Sequence, residues 1–578
     1  MKTSMRHALV VPAVAVVLCG CSADWPAFRH DFLRTARQRW ASPLSNPSKA
    51  KTLHVVWRFP AEHTADLDDG FRASPVVYKG RVFIGNGNGY FYALNARTGQ
   101  QIWQYPPAGS PPLTTSFPCV NPSSHGIASS AAIARIGGVD AVIFAAPGPL
   151  SKTNKGNGRL FALNTLTGKK IWMSPVIARL TGNTPDSQTE FHENLGHSSP
   201  LVLGNKVYVG VSDHCDSPIQ KGRVVAVNLA NGKITSRFKY CSAGDPKDCS
   251  AQEPRGGGVW SSPAGLRDGV YITTGNTNTH DGTSEPKKNY GLSLLRLNAS
   301  TGDISWTFQP VPWEMDSDPD WSAAPTIMAA DCGLTIISTQ KDGWTHAINA
   351  ADGKRQWSFP PHKIPFVPDV PGMPGDGTAH GDDGYMRSGA VWGNVYVAMN
   401  GGLNLTTSGV TGGYHRLHAF NVCEPESNRL RWLIDVPGTS PDCSRGRYCL
   451  GNPTVTGGIV YVGTDRGHLV AIADPTVAPA AGWRCENPSV KSMDCAAKGY
   501  RLTRQPAILA DVSLPVSLSG LACASSCVPP CDTSCSFANS LVYAEPVLAN
   551  GKVYISTEVR DCCGDGKSVA GYVYMLQP

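Results

Sequence analysis

Cysteine is the residue whose number and spacing carry the most chemistry in this chain, with 18 among 578 residues. Cys523, Cys527, Cys531 and Cys535 recur at every fourth position, and Cys562 and Cys563 are adjacent. A four-residue spacing is wider than the knuckle of a zinc ribbon. Pro529 and Pro530 prevent a regular helix from presenting the four thiols on one face, so disulfides are favoured over a metal cluster. Short polar loops make Cys241 with Cys249, Cys443 with Cys449, and Cys485 with Cys495 the expected local pairs. Cys562 and Cys563 either bond to each other or pair elsewhere, the second being favoured. No Cys-x-x-Cys-His run occurs, so no covalent haem is expected.

A second concentration of chemistry is acidic. Asp369, Asp376, Asp382 and Asp383 stand among glycines and prolines between about residues 361 and 385, the composition of either a calcium-ordered or a flexible loop.

The elements that must position such groups come from a repeat. Its clearest copy runs Ser74-Pro75-Val76-Val77, Arg81 to Gly85, Gly89 to Asn95, Thr98-Gly99 and Gln101 to Tyr105 with Trp103. Four strand-sized apolar runs separated by Gly and Asn turns describe an antiparallel sheet that buries its faces only by stacking on copies of itself. The pattern returns from Ser130, Ser199, Ser262 and Ala324, and more loosely from Ser388 to Trp432, from Asn452 to about Trp483, and from Glu545 to Leu576. The last copy lacks its Trp-bearing strand, and His54 to Phe59, with Trp57, supplies one at the front. The expectation is an all-β, eight-bladed propeller over residues 54–578, closed by pairing N- and C-terminal strands in the last blade, with insertions near 361–385 and 478–539.

Residues 1–20 read as an export signal: Lys2 and Arg6 precede an apolar stretch from Ala8 to Leu18 that is too short to span a membrane. Leu18-Cys19-Gly20-Cys21-Ser22 looks like a lipoprotein cleavage box, with Cys21 the lipid-bearing residue and membrane attachment as its consequence; ordinary cleavage is the alternative. Residues 21–53 read as a tether and leader to the ring. Removing Cys19 and lipidating Cys21 leaves an even number of cysteines, consistent with an oxidising compartment such as the periplasm. The formal net charge of +7 is small and scattered, so no nucleic-acid partner is expected.

Blade phrases ending Ala-Leu-Asn-x-x-Thr-Gly-x-x-x-Trp resemble the quinoprotein repeat superfamily, which includes dehydrogenases dependent on pyrroloquinoline quinone (PQQ) and a non-catalytic envelope lipoprotein. The phrases Val259-Trp260-Ser261-Ser262-Pro263, Val270 to Asn276, and Thr301 to Gln309 followed by Trp313-Glu314-Met315-Asp316 are similar to a continuous stretch of the alcohol dehydrogenases. That resemblance implies PQQ and calcium as cofactors, an alcohol as substrate and a periplasmic electron acceptor. It implies Asn276 as a calcium ligand, Lys341 as a cation near the quinone and Trp260 as its aromatic floor. The catalytic carboxylate falls among Asp316, Asp318 and Asp320, with Asp318 favoured.

Two departures from the family pattern stand beside these matches. After Val209-Gly210-Val211-Ser212 no Glu follows where the family has its acidic calcium ligand, leaving Asp216 or Asp213 to substitute. The adjacent cysteine pair of many relatives is missing from the early blades. The missing Glu favours a second reading, a propeller lipoprotein that acts as a scaffold binding an envelope protein.

Overall fold

The computed structural model describes residues 23–578 except 41–42, 63–69, 117–123, 149–155, 181–190, 196, 214–218, 251–254, 278–288, 311–319, 342–343, 360–386, 401–402, 407–408, 414–415, 440–449, 486–493, 496–501, 517–536, 541–543 and 562–567. Eight four-stranded antiparallel sheets form the blades of a propeller. Blade 1 is Val76–Tyr78, Arg81–Gly85, Phe91–Asn95 and Gln101–Tyr105. Blades 2 to 6 repeat that order, opening at Ala132, Leu201, Ala264, Thr326 and Ala390.

Blade 8 takes Val547–Ala549, Lys552–Ser556 and Val573–Gln577 from the C-terminus, and its fourth strand, His54–Phe59, from the front of the chain. His54 pairs with Gln577 and Phe59 with Val573, so the ring closes as the repeat count requires.

The repeat phrase has a physical reason. Asn95 Oδ1 accepts the N–H groups of Arg97 and Thr98, which bends the chain into Gly99 at φ 73°. A Cβ on Gly99 would lie 2.7 Å from the indole of Trp57, so only glycine lets the neighbouring blade's ring lie flat there. The indole N–H of Trp57 then donates to the Ala96 carbonyl at 3.3 Å. Trp103 makes the same contacts on Gly168 and the Thr165 carbonyl, Trp172 on Gly232 and the Leu229 carbonyl, and Trp306 on Gly353 and the Ala350 carbonyl. Each Trp thus locks its blade onto the next.

Other junctions depart from this lock: Trp357 donates to the Val422 carbonyl at 3.2 Å without a docking glycine among the described residues, and the strand Ala507–Ser513 that ends blade 7 carries no Trp. Trp432 donates instead to the Asp474 carboxylate at 2.7 Å, which also holds Arg431. Blade 3 ends in the two-residue strand Tyr240–Cys241 and has no Trp there; a Cβ on Gly302 of blade 4 would meet the Lys239 carbonyl at 2.4 Å.

The expected disulfides Cys241–Cys249 and Cys485–Cys495 are present. So is Cys332–Cys423, which joins blades 5 and 6 and was beyond reach of short-loop reasoning because 91 residues separate its partners. Cys443, Cys449, the four cysteines from Cys523 to Cys535, Cys562 and Cys563 lie outside the described residues, as does the acidic loop from Asp369 to Asp383.

Blade 7 corrects the sequence expectation. Its strands are Thr454–Thr456, Ile459–Gly463, His468–Ala473 and Ala507–Ser513, the last lying within the expected insertion. The stretch around Trp483 forms a separate hairpin, Gly482–Cys485 with Leu502–Gln505. There Trp483 is 56% exposed, with the Arg504 guanidinium over its ring. The repeat expected to end at about Trp483 therefore continues to Ser513, where the alternation from Ala507 supplies the fourth strand.

Residues 23–38 cross one end of the ring. Their carbonyls accept N–H groups from the inner edges of successive blades: Ala23 from Asn550, Trp25 from Val77, Pro26 from Ile133, Phe32 from Gly265, Leu33 from Ile327, Thr35 from Val391 and Ala36 from Val455. Arg34 reaches the remaining blade 3 through the Pro200 carbonyl at 3.2 Å. Burial holds its guanidinium down to about 10.

Candidate functional site

Six blades carry Ser or Asn just ahead of the inner strand, blade 5 has Ala324 there and blade 8 Glu545, and hydrogen bonds tie these positions into a belt around the channel. The Glu545 N–H donates to Ser74 Oγ, Ser74 to Ser130 Oγ, Ser130 to Ser199 Oγ and Ser199 to Ser262 Oγ, at 2.9 to 3.0 Å. Farther round, the Ala324 N–H donates to Ser388 Oγ and Ser388 to Asn452 Oδ1, both at 2.8 Å. The belt encloses a cavity of about 90 Å³. Residues two places ahead of belt positions, Arg72, Ala128, His197, Trp260 and Ser322, line it, together with Arg387 and with Phe28 of the crossing segment.

Trp260 is where this channel meets a carboxylate. Its Nε1–H donates to Asp320 Oδ2 at 2.9 Å, and Lys341 Nζ lies 2.6 Å from Asp320 Oδ1 and 5.3 Å from the centre of the indole. The acid and the base are both buried, at 4% and 10% side-chain exposure. Their positions are set by main chain: the Lys341 N–H donates to the Asp320 carbonyl, and the Trp321 N–H to the Thr274 carbonyl. Asp320 leads into blade 5's first strand, Thr326–Ala330, and Lys341 follows its second, Gly333–Thr339, so pairing of those strands brings the two together.

Gly275 packs beside the cluster: a Cβ there would be in contact with Asp320 Oδ2 and Trp260 Cδ1, both at 3.4 Å, and 3.2 Å from the Gly258 carbonyl. The next residue, Asn276, is half-buried, and its carbonyl accepts the Gly257 N–H at 2.7 Å while the Gly275 N–H donates to Gly258. Asp213 approaches the same glycine run from blade 3, with Oδ2 3.9 Å from the place a Gly258 Cβ would occupy and accepting the Gln220 N–H.

Of the residues singled out from the sequence, Trp260 and Lys341 therefore converge, and Asn276 lies one residue from the Gly275 contact. Asp316, Asp318, Asp216 and Cys21 lie outside the described residues. The carboxylate placed on Lys341 is Asp320, the third of the three alternatives. Arg72, His197 and Arg387 were missed. The usable signal for the first two was their offset, two residues before the blade-opening serine, which is the offset of Trp260.

His197 is reached by water from the channel, yet it sits at the centre of the ring. Desolvation, with the positive field of Arg72 and Arg387 added, holds its imidazole down to about 4. Among the described residues no three His, Cys, Asp or Glu side chains gather as a metal cluster, so a cation here would rest on mixed oxygen donors.

Known proteins share this architecture. The quinohemoprotein alcohol dehydrogenase of Comamonas testosteroni is 25% identical over 360 residues, 57% of this chain and 45% of that protein. The quinoprotein glucose dehydrogenase of Escherichia coli K12 is 23% identical over 366 residues, 59% of this chain and 44% of that one. The matches thus span less than half the length of these curated relatives. The crystal structure of the Comamonas enzyme superposes with a TM-score of 0.62 at 18% identity, covering 97% of this chain and 81% of that one. A europium-containing methanol dehydrogenase gives 0.61 at 14%, covering 96% and 98%. The family model for the glucose/ethanol/alcohol dehydrogenase β-propeller domain, the PQQ family, matches residues 25–379. With that match across most of the ring, the chain belongs to the PQQ β-propeller family of glucose, ethanol and alcohol dehydrogenases.

Proposed function

We propose that this protein is an exported PQQ-dependent alcohol dehydrogenase in which Asp320 is the base. The observation that carries the reading is the convergence of Asp320, Lys341 and Trp260 at the edge of the central channel. The donor set suits the cofactor pair. Trp260 offers an indole to a planar quinone. Lys341 offers a cation to a polyanionic one, and the amide oxygen of Asn276 with the carboxylate of Asp213 are hard donors suited to calcium. Asp213 takes the role that the sequence left to Asp213 or Asp216.

When bound, PQQ supplies the two-electron acceptor that an alcohol oxidation needs. The chain's own part is positioning and proton transfer. Asp320 accepts the hydroxyl proton of the alcohol on a carboxylate oxygen. The Trp260 N–H and the Lys341 ammonium fix that carboxylate, so it meets the substrate without reorganising. Electrons leave to a separate periplasmic acceptor. The three disulfides among the described residues fit the oxidising compartment that the leader implies, and Cys21 would provide attachment to the envelope membrane. Among the described residues no helix is long and apolar enough to cross a membrane.

The test is calorimetric titration of the protein with PQQ and calcium, followed by alcohol-dependent reduction of an artificial acceptor. Asp320→Asn should lower turnover by roughly 10²–10⁴-fold with quinone binding retained, because an amide cannot take the proton. Asn276→Ala should instead weaken calcium-supported quinone binding. Absence of saturable PQQ binding would end this reading and put the envelope scaffold in its place.

A further inference from the structure

The belt that holds the blades together also builds a site of one polarity. Ser74, Ser130, Ser199 and Ser388 each use an oxygen lone pair to accept a main-chain N–H from a neighbouring blade. Accepting leaves the hydroxyl proton to be directed elsewhere. Among the described residues none of these four hydroxyls donates to another protein group, and all four line the cavity. The Arg72 and Arg387 guanidiniums line it too, whereas no Asp or Glu is among the described lining residues. Arg72 is held from behind by Glu558, through Nε at 3.0 Å and Nη2 at 2.7 Å. The space of about 90 Å³ holds a handful of waters.

We propose that this cavity is a binding site for one small inorganic anion, a halide or a compact oxyanion, seated among the serine hydroxyls and the two guanidiniums. Such convergence of donors in a low-dielectric channel favours negative charge over water. Desolvation is the main reason the His197 imidazole is held down, and the positive field of Arg72 and Arg387, which the ion would meet, adds to it. The donors come from blades 1, 2, 3 and 6, so the ion adds a central tie between sheets already joined by the belt and by the Trp locks. The site lies between Trp260 and Phe28 and stands independently of the quinone reading, sharing only the Trp260 wall with it.

The experiment uses bromide as the probe. Crystals of the full chain grown without halide and soaked in bromide should show one anomalous peak within hydrogen-bond distance of the serine hydroxyls and a guanidinium. In solution, chloride should raise the unfolding temperature saturably relative to gluconate at equal ionic strength. Arg387→Gln should weaken that response by roughly tenfold in concentration. Water density alone in the cavity, with equal melting in both salts, overturns the proposal; so does expulsion of bromide when PQQ and calcium bind, which would make the cavity part of the quinone site. A bromide peak in a protein that binds no PQQ upholds the anion site and removes the quinone reading instead. The wild-type bromide map decides the matter even if Arg387→Gln does not fold.

Discussion

Two buried acid–base pairs stand at different places in the ring, and their surroundings assign them different work. Arg29 and Glu545 are at 0% exposure. Glu545 Oε1 accepts the Arg29 N–H at 2.7 Å and the Trp25 indole at 3.3 Å, and Oε2 lies 2.8 Å from Arg29 Nη1. The guanidinium goes on to the carbonyls of Pro453 and Gly389. Every partner is main chain or belongs to the crossing segment, so the pair joins that segment to blades 6, 7 and 8. Lys341 and Asp320 are nearly as buried, but their third partner is Trp260, whose ring faces an internal cavity. Burial alone does not mark a functional pair. Contact with a space that a ligand can enter does.

The difference is broken most directly by neutralising one acid in each pair. Glu545→Gln leaves the Arg29 cation in a site where desolvation already lowers its proton affinity despite the carboxylate. Its expected cost is about 3–5 kcal/mol of stability, measured by urea unfolding. A loss below about 1 kcal/mol would show that the crossing segment is not anchored there. Asp320→Asn retains an acceptor for the N–H of Trp260, whose ring lines the cavity, so its stability cost should be smaller, about 1–3 kcal/mol. Equal costs for the two variants would erase the distinction drawn between them.

The same contrast explains how far the sequence could be read. Blade number, closure through Trp57 and the Trp-on-Gly docking are local patterns repeated around the ring, and repetition makes a weak local signal strong. The crossing segment repeats nothing: its Trp25, Arg29 and Arg34 gain meaning only once eight inner strands surround them. Trp260 and Lys341 were found through family phrases. Asp320 could not be separated from Asp318 by spacing, because the choice depends on main-chain bonds from Lys341 to Asp320 and from Trp321 to Thr274. The Trp483 error has the same origin, since strand pairing with His468–Ala473 selected Ala507–Ser513 over a hairpin bearing the expected residue type.

A pH dependence separates an enclosed histidine from a channel-facing one. His346 is fully buried among Phe308, Trp321 and Trp344, with Nδ1 2.6 Å from Ser358 Oγ. Desolvation, helped by Arg355, holds its imidazole down to about 3. It is neutral in the fold, whereas in the unfolded chain it takes a proton near its ordinary value of about 6.5. The unfolded state therefore binds more protons between about pH 6.5 and pH 3, and stability falls as pH drops through that window, by at most about 1.4 kcal/mol per unit for one proton. Replacing His346 with Phe removes this dependence, so the variant's stability deficit at pH 7 should shrink progressively toward pH 4. His197→Asn should act in the same sense over a narrower window, ending near pH 4, and more weakly because channel water reaches the ring. The comparison is made by urea unfolding at a series of pH values. A deficit for His346→Phe that stays constant from pH 7 to pH 4 would mean that the enclosed ring is not kept neutral by its burial.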